Sequence, residues 1–457
     1  MAVKDKPLKS IDHIMYDVSS PTSLITVMGM MVFDKKVKKE ILIKVISDRL
    51  LRHHRFHKKV IIKKGKPHWH LDESFDLRSH IHHIALPAPG DYNALQDLIS
   101  DLISQPLDSS KPLWQVHLID NYKGGSVVLW RLHHAIADGI ALVNVVYSLT
   151  GLTKAASLEA DRNIVSNKPR HKWKLDIKAL FQSGKDWLVN ARYLLMHPER
   201  IKKPISDAVK LAGELGRLFF GKSVEHTLYK GNLSCSKKVA WSGALPLVEV
   251  KQMAKIHGVT INDILLVLIA GAIRHHLLKH KQKLSNCMRI VVPVNLRKKE
   301  EDIKVHNKIG MLSIELPVHI KDLKHRIDYV HSKTEFLKNS IEPVLVYNLM
   351  NVLADIIPAK LEARFAEFIG SRIAGVVTNL PGPKSPVYFA GQQIKDMLFW
   401  VPQTSPLGIG VSMMSYGGRV YLGVVTDTHL VNDPDQIIKG YYKEFELMKK
   451  IAKPKTN

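Results

Sequence analysis

The chain has 457 residues, 45% hydrophobic and 24% charged, which excludes a mainly disordered, collagenous or low-complexity protein. Lys and Arg outnumber Asp and Glu by 67 to 42, a net charge of +25, which implies an anionic partner: nucleic acid, an anionic membrane or a phosphorylated small molecule. With only Cys235 and Cys287 there is no disulfide framework, and a reducing compartment fits better.

Residues 1–165 read as a first mixed α/β domain. The basic start, Met1–Ser10, lacks the apolar stretch of a secretory signal. Leu24–Phe33 is an apolar, β-branched run. Lys58, Lys59, Lys63, Lys64 and Lys66 form a basic run that reads as a solvated face, with a contact to phosphates as the alternative. His68-x-His70 and His80-x-His82 have strand spacing that puts each pair on one face. No zinc-type arrangement of Cys or carboxylates accompanies them, so no metal is expected. Asn93–Ile103 spaces its apolar residues as a helix, and Ser126–Leu132 reads as a mostly buried strand.

Residues 166–235 read as a basic helical linker. Ser166–Lys222 holds 13 Lys/Arg against 5 Asp/Glu, with apolar stripes at Trp187, Leu188, Ala191 and Leu195 and at Leu211, Leu215, Leu218 and Phe219. Such a segment suits either a crossover packed on the domains or an element lying on an anionic membrane. Residues 236–457 read as a second α/β domain. Ile261–Leu278 is a helix with Thr260 as N-cap. Met288–Leu296 and Lys308–Val318 are strands, and Ser412–Asp427 is a hairpin turning at Gly417-Gly418. The longest apolar run, Ile264–Ile273, is about half the ~20 residues of a spanning helix, so a membrane-associated role implies lying on the bilayer.

The informative string is His133-His134-Ala135-Ile136-Ala137-Asp138-Gly139, directly after the Ser126–Leu132 strand. A neutral imidazole at a strand end can take a proton from a hydroxyl and return it later. Asp138 is close enough to fix the local geometry, and Gly139 permits a tight turn or a close backbone approach. No Gly-x-Ser-x-Gly elbow accompanies the motif, which points to direct attack by a bound alcohol without an acyl-enzyme. His275-His276 has no Asp-Gly at the matching offset and reads as helix surface.

The motif resembles that of the coenzyme A-dependent acyltransferases built on the chloramphenicol acetyltransferase fold. Within them, the chain is similar over nearly its whole length to the bifunctional wax ester synthase/diacylglycerol acyltransferase family. Pro112-Leu113-Trp114, Asn262-Asp263 and Thr378-Asn379-Leu380-Pro381-Gly382-Pro383 match family elements in order and spacing. Val292-Pro293-Val294-Asn295-Leu296-Arg297 resembles a strand that usually carries Ser where Asn295 stands. The resemblance implies an α/β fold of two chloramphenicol-acetyltransferase-like domains with the active site in a tunnel between them.

It also implies His134 as general base, His133 in support and Asp138 as an orienting residue beside Gly139. Asn262, Asp263, Trp114 and Asn379 are then expected to bind substrate or shape the site mouth. Each has a plainer reading. Asn262 is equally a helix-start residue or a donor to an oxyanion. Asp263 suits the first helical turn. Trp114 suits the core, while Asn379 and Gly382 suit a turn near the domain interface.

The implied reaction moves a long-chain acyl group from acyl-CoA, a co-substrate, to diacylglycerol or a fatty alcohol, with no cofactor or metal. Expected partners include an anionic membrane or lipid droplet, reached from the cytoplasm; nucleic acid is not expected, since no recognition signature is present. Two alternatives remain. One is a condensation-type enzyme using carrier-protein thioesters. The other is a non-catalytic acyl-lipid-binding protein.

Overall fold

The computed structural model describes residues 5–8, 10–159, 227–284, 288–296, 309–338 and 370–452. The expected helical linker lies outside them up to residue 226. So do Cys287 and Arg297.

Residues up to 159 form β1 (Lys6–Pro7), β2 (Thr26–Phe33), β3 (Lys58–Lys63), β4 (Lys66–Leu71), β5 (Ile81–Ala85), β6 (Trp114–Tyr122) and β7 (Gly125–His133). Helices α1 (Ser10–Asp17), α2 (Lys39–Arg49), α3 (Tyr92–Ser104) and α4 (Gly139–Ser148) accompany them. The later residues form β8 (Lys237–Trp241), β9 (Leu245–Pro246), β10 (Met288–Asn295), β11 (Ile309–Leu316), β12 (Gly375–Pro381), β13 (Tyr388–Phe389), β14 (Gln392–Gln393), β15 (Asp396–Trp400), β16 (Ile409–Tyr416) and β17 (Arg419–Asp427). Among the described residues four helices accompany those strands: Leu247–Ile256, Ile261–Lys279, Leu323–Lys338 and Asp435–Ala452.

The first sheet runs β15-β2-β7-β6-β5. All nine residues of β7 are buried, and both its neighbours are antiparallel to it. A strand covered on both faces explains the unbroken apolar run in its sequence. The edge strand β15 comes from the second half of the chain: Asp396–Trp400 pairs antiparallel with Val32–Met28. Residues that the sequence reading assigns to the second domain therefore complete the sheet of the first. Trp400 is fully buried there, with its indole N–H donating to the Ala240 carbonyl at 3.3 Å and its ring edge-on to Trp241 at 5.6 Å.

The second sheet runs β11-β10-β12-β16-β17-β8, with β9 also paired to β17. The β16–β17 hairpin turns at Gly417-Gly418, whose φ values of +55° and +78° lie where residues with a Cβ are strained. Helix Ile261–Lys279 starts with a reciprocal capping box. Asp263 N–H donates to Thr260 Oγ1 at 3.1 Å, and Thr260 N–H donates to Asp263 Oδ2 at 2.9 Å. By length and composition this helix could cross a membrane, but 72% of its most apolar window is buried inside the protein, as in a core helix.

Two histidine expectations need correction. His276 is not on the helix surface: it is 1% exposed, meets Tyr229 Oη through Nδ1 at 2.7 Å and Asp433 Oδ1 through Nε2 at 3.0 Å. It shares the helix face of Ala272, Ile273 and Leu277, and these two polar partners let an imidazole occupy it. His80 and His82 do not share a strand. His80 ends a 3₁₀ turn and stacks on Trp114 at 4.4 Å, while His82 lies in β5 and stacks on His117 at 4.8 Å.

Because Trp400 joins β15 of the first sheet to β8 of the second, Trp400→Ala is expected to lower the unfolding free energy by about 3–5 kcal/mol. Denaturant unfolding followed by circular dichroism checks this; a loss below about 1 kcal/mol would show that the crossing strand contributes little.

Candidate active site

The motif occupies the turn between β7 and α4. Backbone bonds anchor it on both sides: His133 N–H donates to Leu113 O at 3.0 Å and His134 N–H to Ile25 O at 2.8 Å. Asp138 is fully buried and caps α4, its Oδ1 accepting from Ala141 N–H at 3.0 Å. The carboxylate thus organises the helix start. Gly139 opens α4 without a left-handed φ, so the turn does not need glycine for its backbone; a Cβ there would meet nothing within 4 Å, which leaves open space over the helix start.

His133 is 6% exposed and its Nδ1 accepts from Ala135 N–H at 3.1 Å, which places the proton of the neutral ring on Nε2. Burial, reinforced by the neighbouring His134, pushes its pKa down to about 3, so this ring is neutral at ordinary pH. Of the six residues from His133 to Asp138, His134 alone is partly exposed; the other five are buried.

Two contributors carry no local motif. Arg55 Nη1 donates to Ile136 O at 2.7 Å and to Asp12 Oδ2 at 2.9 Å, tying the motif turn to α1. Arg49, which is buried, donates to Leu149 O at 2.8 Å and Ala156 O at 2.7 Å, fixing the chain beyond α4. Neither residue stands out in sequence. Both are basic residues in a strongly basic stretch, and their partners lie up to 110 positions away.

Asn262 and Asn379 come together: Asn379 Nδ2 donates to Asn262 Oδ1 at 3.2 Å, joining the start of helix Ile261–Lys279 to β12. As oriented, this leaves the Asn262 amide protons for another acceptor. Asp263 is wholly engaged. Besides the capping box, it accepts from Thr334 Oγ1 at 2.6 Å and meets His331 Nδ1 at 3.0 Å. Trp114 is fully buried, with its indole N–H on Phe56 O at 2.9 Å, and belongs to the core. Gly382 sits close under α4, since a Cβ on it would lie 3.0 Å from Tyr147 Oη and 2.3 Å from Ser415 O. The helix that begins at the motif thereby packs on the Asn379–Pro383 segment.

Several of the remaining histidines and lysines have local partners. His70 pairs with Asp5 at 2.8 Å, His68 Nδ1 meets Lys66 O at 2.9 Å, and Lys59 pairs with Asp72 at 3.0 Å. Lys63 pairs with Asp5. His276, His280 and Asp433 bring ligand-type atoms within 4.8 Å of one another at the opposite end of the helix from Asn262.

A partly exposed histidine on a buried, capped strand-to-helix turn, in a two-sheet α/β chain, fits the class of acyltransferases that carry the His-His-x-x-x-Asp-Gly motif. Residues 8–265 match the model of the wax ester synthase/diacylglycerol acyltransferase catalytic domain and residues 305–449 that of the WS/DGAT C-terminal domain, so the chain belongs to this family. It is 27% identical over 382 residues to a probable diacylglycerol O-acyltransferase of Mycobacterium tuberculosis, covering 82% of this chain and 80% of that protein. To the O-acyltransferase WSD of Acinetobacter baylyi it is 25% identical, covering 83% and 82%.

Among solved structures, the fold resembles a wax ester synthase/diacylglycerol acyltransferase from Marinobacter aquaeolei, with a TM-score of 0.70, 19% identity and 98% and 99% coverage. It also resembles the first condensation domain of the calcium-dependent antibiotic synthetase, with a TM-score of 0.63, 14% identity and 99% and 97% coverage.

His117, like His133, is held neutral: burial first, then His82 and Arg131, push its pKa to about 3. The unfolded chain, with a histidine pKa near 6.5, binds more protons than the folded one between about pH 3 and 6.5. Stability is therefore full above about pH 6.5 and falls as pH drops, by about 1.4 kcal/mol per pH unit for each such histidine. His117→Phe is expected to flatten the slope between pH 6.5 and 5 by about that amount, read as the difference in denaturant midpoints between variant and parent. An unchanged slope would contradict the assignment.

Proposed function

We propose that the His133–Asp138 turn catalyses direct transfer of an acyl group from acyl-CoA to a lipid alcohol, with His134 as the general base. Its imidazole takes the hydroxyl proton, and the alcohol oxygen forms a bond to the thioester carbonyl carbon. The tetrahedral intermediate then collapses with cleavage of the C–S bond. The coenzyme A thiolate leaves and takes the proton back from the imidazolium, so the enzyme ends as it began. The observation that carries this reading is that His134 is the one partly exposed residue from His133 to Asp138, while its neighbours there are buried and capped.

In this scheme His133, neutral and bonded to the Ala135 amide, holds the turn, and Asp138 orients it through the α4 cap. Asn262, fixed by Asn379, has amide protons free to meet the developing oxyanion at the site mouth. The acceptor is diacylglycerol, giving triacylglycerol, or a fatty alcohol, giving a wax ester. The names of the Mycobacterium and Acinetobacter relatives support that acceptor class. No cofactor is required beyond the acyl-CoA itself. The net charge of +25 suits coenzyme A phosphates and an anionic lipid surface, and supports a peripheral position on a membrane or lipid droplet, reached from the cytoplasm.

Thiol release from palmitoyl-CoA is expected to require an alcohol, to yield ester, and to fall by roughly 10²–10⁴-fold in His134→Ala. Running hexadecanol and diacylglycerol side by side identifies the preferred acceptor. Release that ignores the alcohol or survives the substitution would refute the mechanism.

A further inference from the structure

Helix Asp435–Ala452 divides cleanly into two faces. Ile437, Ile438, Tyr441, Phe445 and Met448 are buried in the core of the second sheet. Lys439, Lys443, Glu446, Leu447, Lys450 and Ile451 are all exposed and recur at helical spacing on the opposite side. Leu447 and Ile451, one turn apart, are 46% and 52% exposed.

Three of the four lysines on and beside this face lack counter-ions among the described residues. Lys449, on the flank, pairs with Glu249 at 3.2 Å and Glu446 at 3.4 Å. Lys439, Lys443 and Lys450 have no acidic partner among the described residues. Lys439 and Lys443 also line, with Lys279, His275, Gln436 and Tyr442, a groove of about 420 Å³ between this helix and Ile261–Lys279. The nearby acids are already committed: Asp433 to His276 at 3.0 Å, His280 at 3.2 Å and Lys279 at 3.5 Å, and Glu444 to Arg326 at 2.6 Å and His275 at 3.0 Å. Glu446 is the one acid on the outer face, so the face keeps a net positive charge.

We propose that this face docks the protein on an anionic lipid surface. Phosphate oxygens of the headgroups accept from Lys439 and Lys443 in the groove, while Leu447 and Ile451 enter the interface beside the lysine stems. The helix then lies in the plane of the surface. This rests on the lipid-alcohol reading above and names the part of the molecule that brings the enzyme to such substrates.

The test is co-flotation of the full chain with phosphatidylcholine vesicles, with and without phosphatidylglycerol. The parent is expected to partition onto the anionic vesicles and to be released by salt. A lysine near an anionic surface strengthens binding on the order of fivefold, so K439E/K443E is expected to lower partition by roughly 25-fold or more. L447S/I451S is expected to weaken binding to both vesicle types, and K439Q/K443Q with an unchanged thermal midpoint guards against misfolding. Turnover of palmitoyl-CoA with hexadecanol, both presented in detergent micelles without vesicles, should be the same in all variants. Its absence in the parent would sink the acyltransfer reading while leaving the vesicle result interpretable. Docking by this face is overturned if the parent does not bind anionic vesicles, or if both double variants bind as the parent does.

Discussion

The site depends on one turn that must keep an imidazole reachable at the end of a strand buried on both faces. Five of the six residues from His133 to Asp138 are buried, and each backbone group withdrawn from water needs a partner. The structure supplies them. Leu113 and Ile25 carbonyls accept from the two histidine amides, Asp138 caps α4, and Arg55 holds the Ile136 carbonyl. His134 is thus presented by a rigid frame, so its position costs little reorganisation when a reactant arrives.

That frame is assembled from distant parts of the chain. The sheet behind the turn is closed by β15, and α4 rests on the Gly382 segment. Asn262 and Asn379, 117 positions apart, meet through a single hydrogen bond. The two family-model regions, 8–265 and 305–449, are therefore interwoven in space, with the second contributing a strand to the sheet that carries the motif.

Local signals were readable from the residues. Thr260 and Asp263 announce a helix start, Gly417-Gly418 a hairpin turn, and the apolar run before His133 a buried strand, because each is decided by a few neighbouring residues. The motif string, too, located the turn that exposes His134. Non-local choices were not legible. Nothing in Asp396–Trp400 says that its partner is Thr26–Phe33, and Arg55 gives no sign of its bond to Ile136, 81 positions away. His276 looked solvent-facing because its burial depends on Tyr229 and Asp433, which only the tertiary packing brings near.

The central claim is that the alcohol attacks the thioester directly at His134, with no acyl-enzyme. Initial rates with acyl-CoA and alcohol varied together test it most directly. Direct attack requires both substrates on the enzyme at once and predicts double-reciprocal lines that intersect. Parallel lines, with acylated protein trapped when the alcohol is withheld, would mark a covalent intermediate and contradict the account.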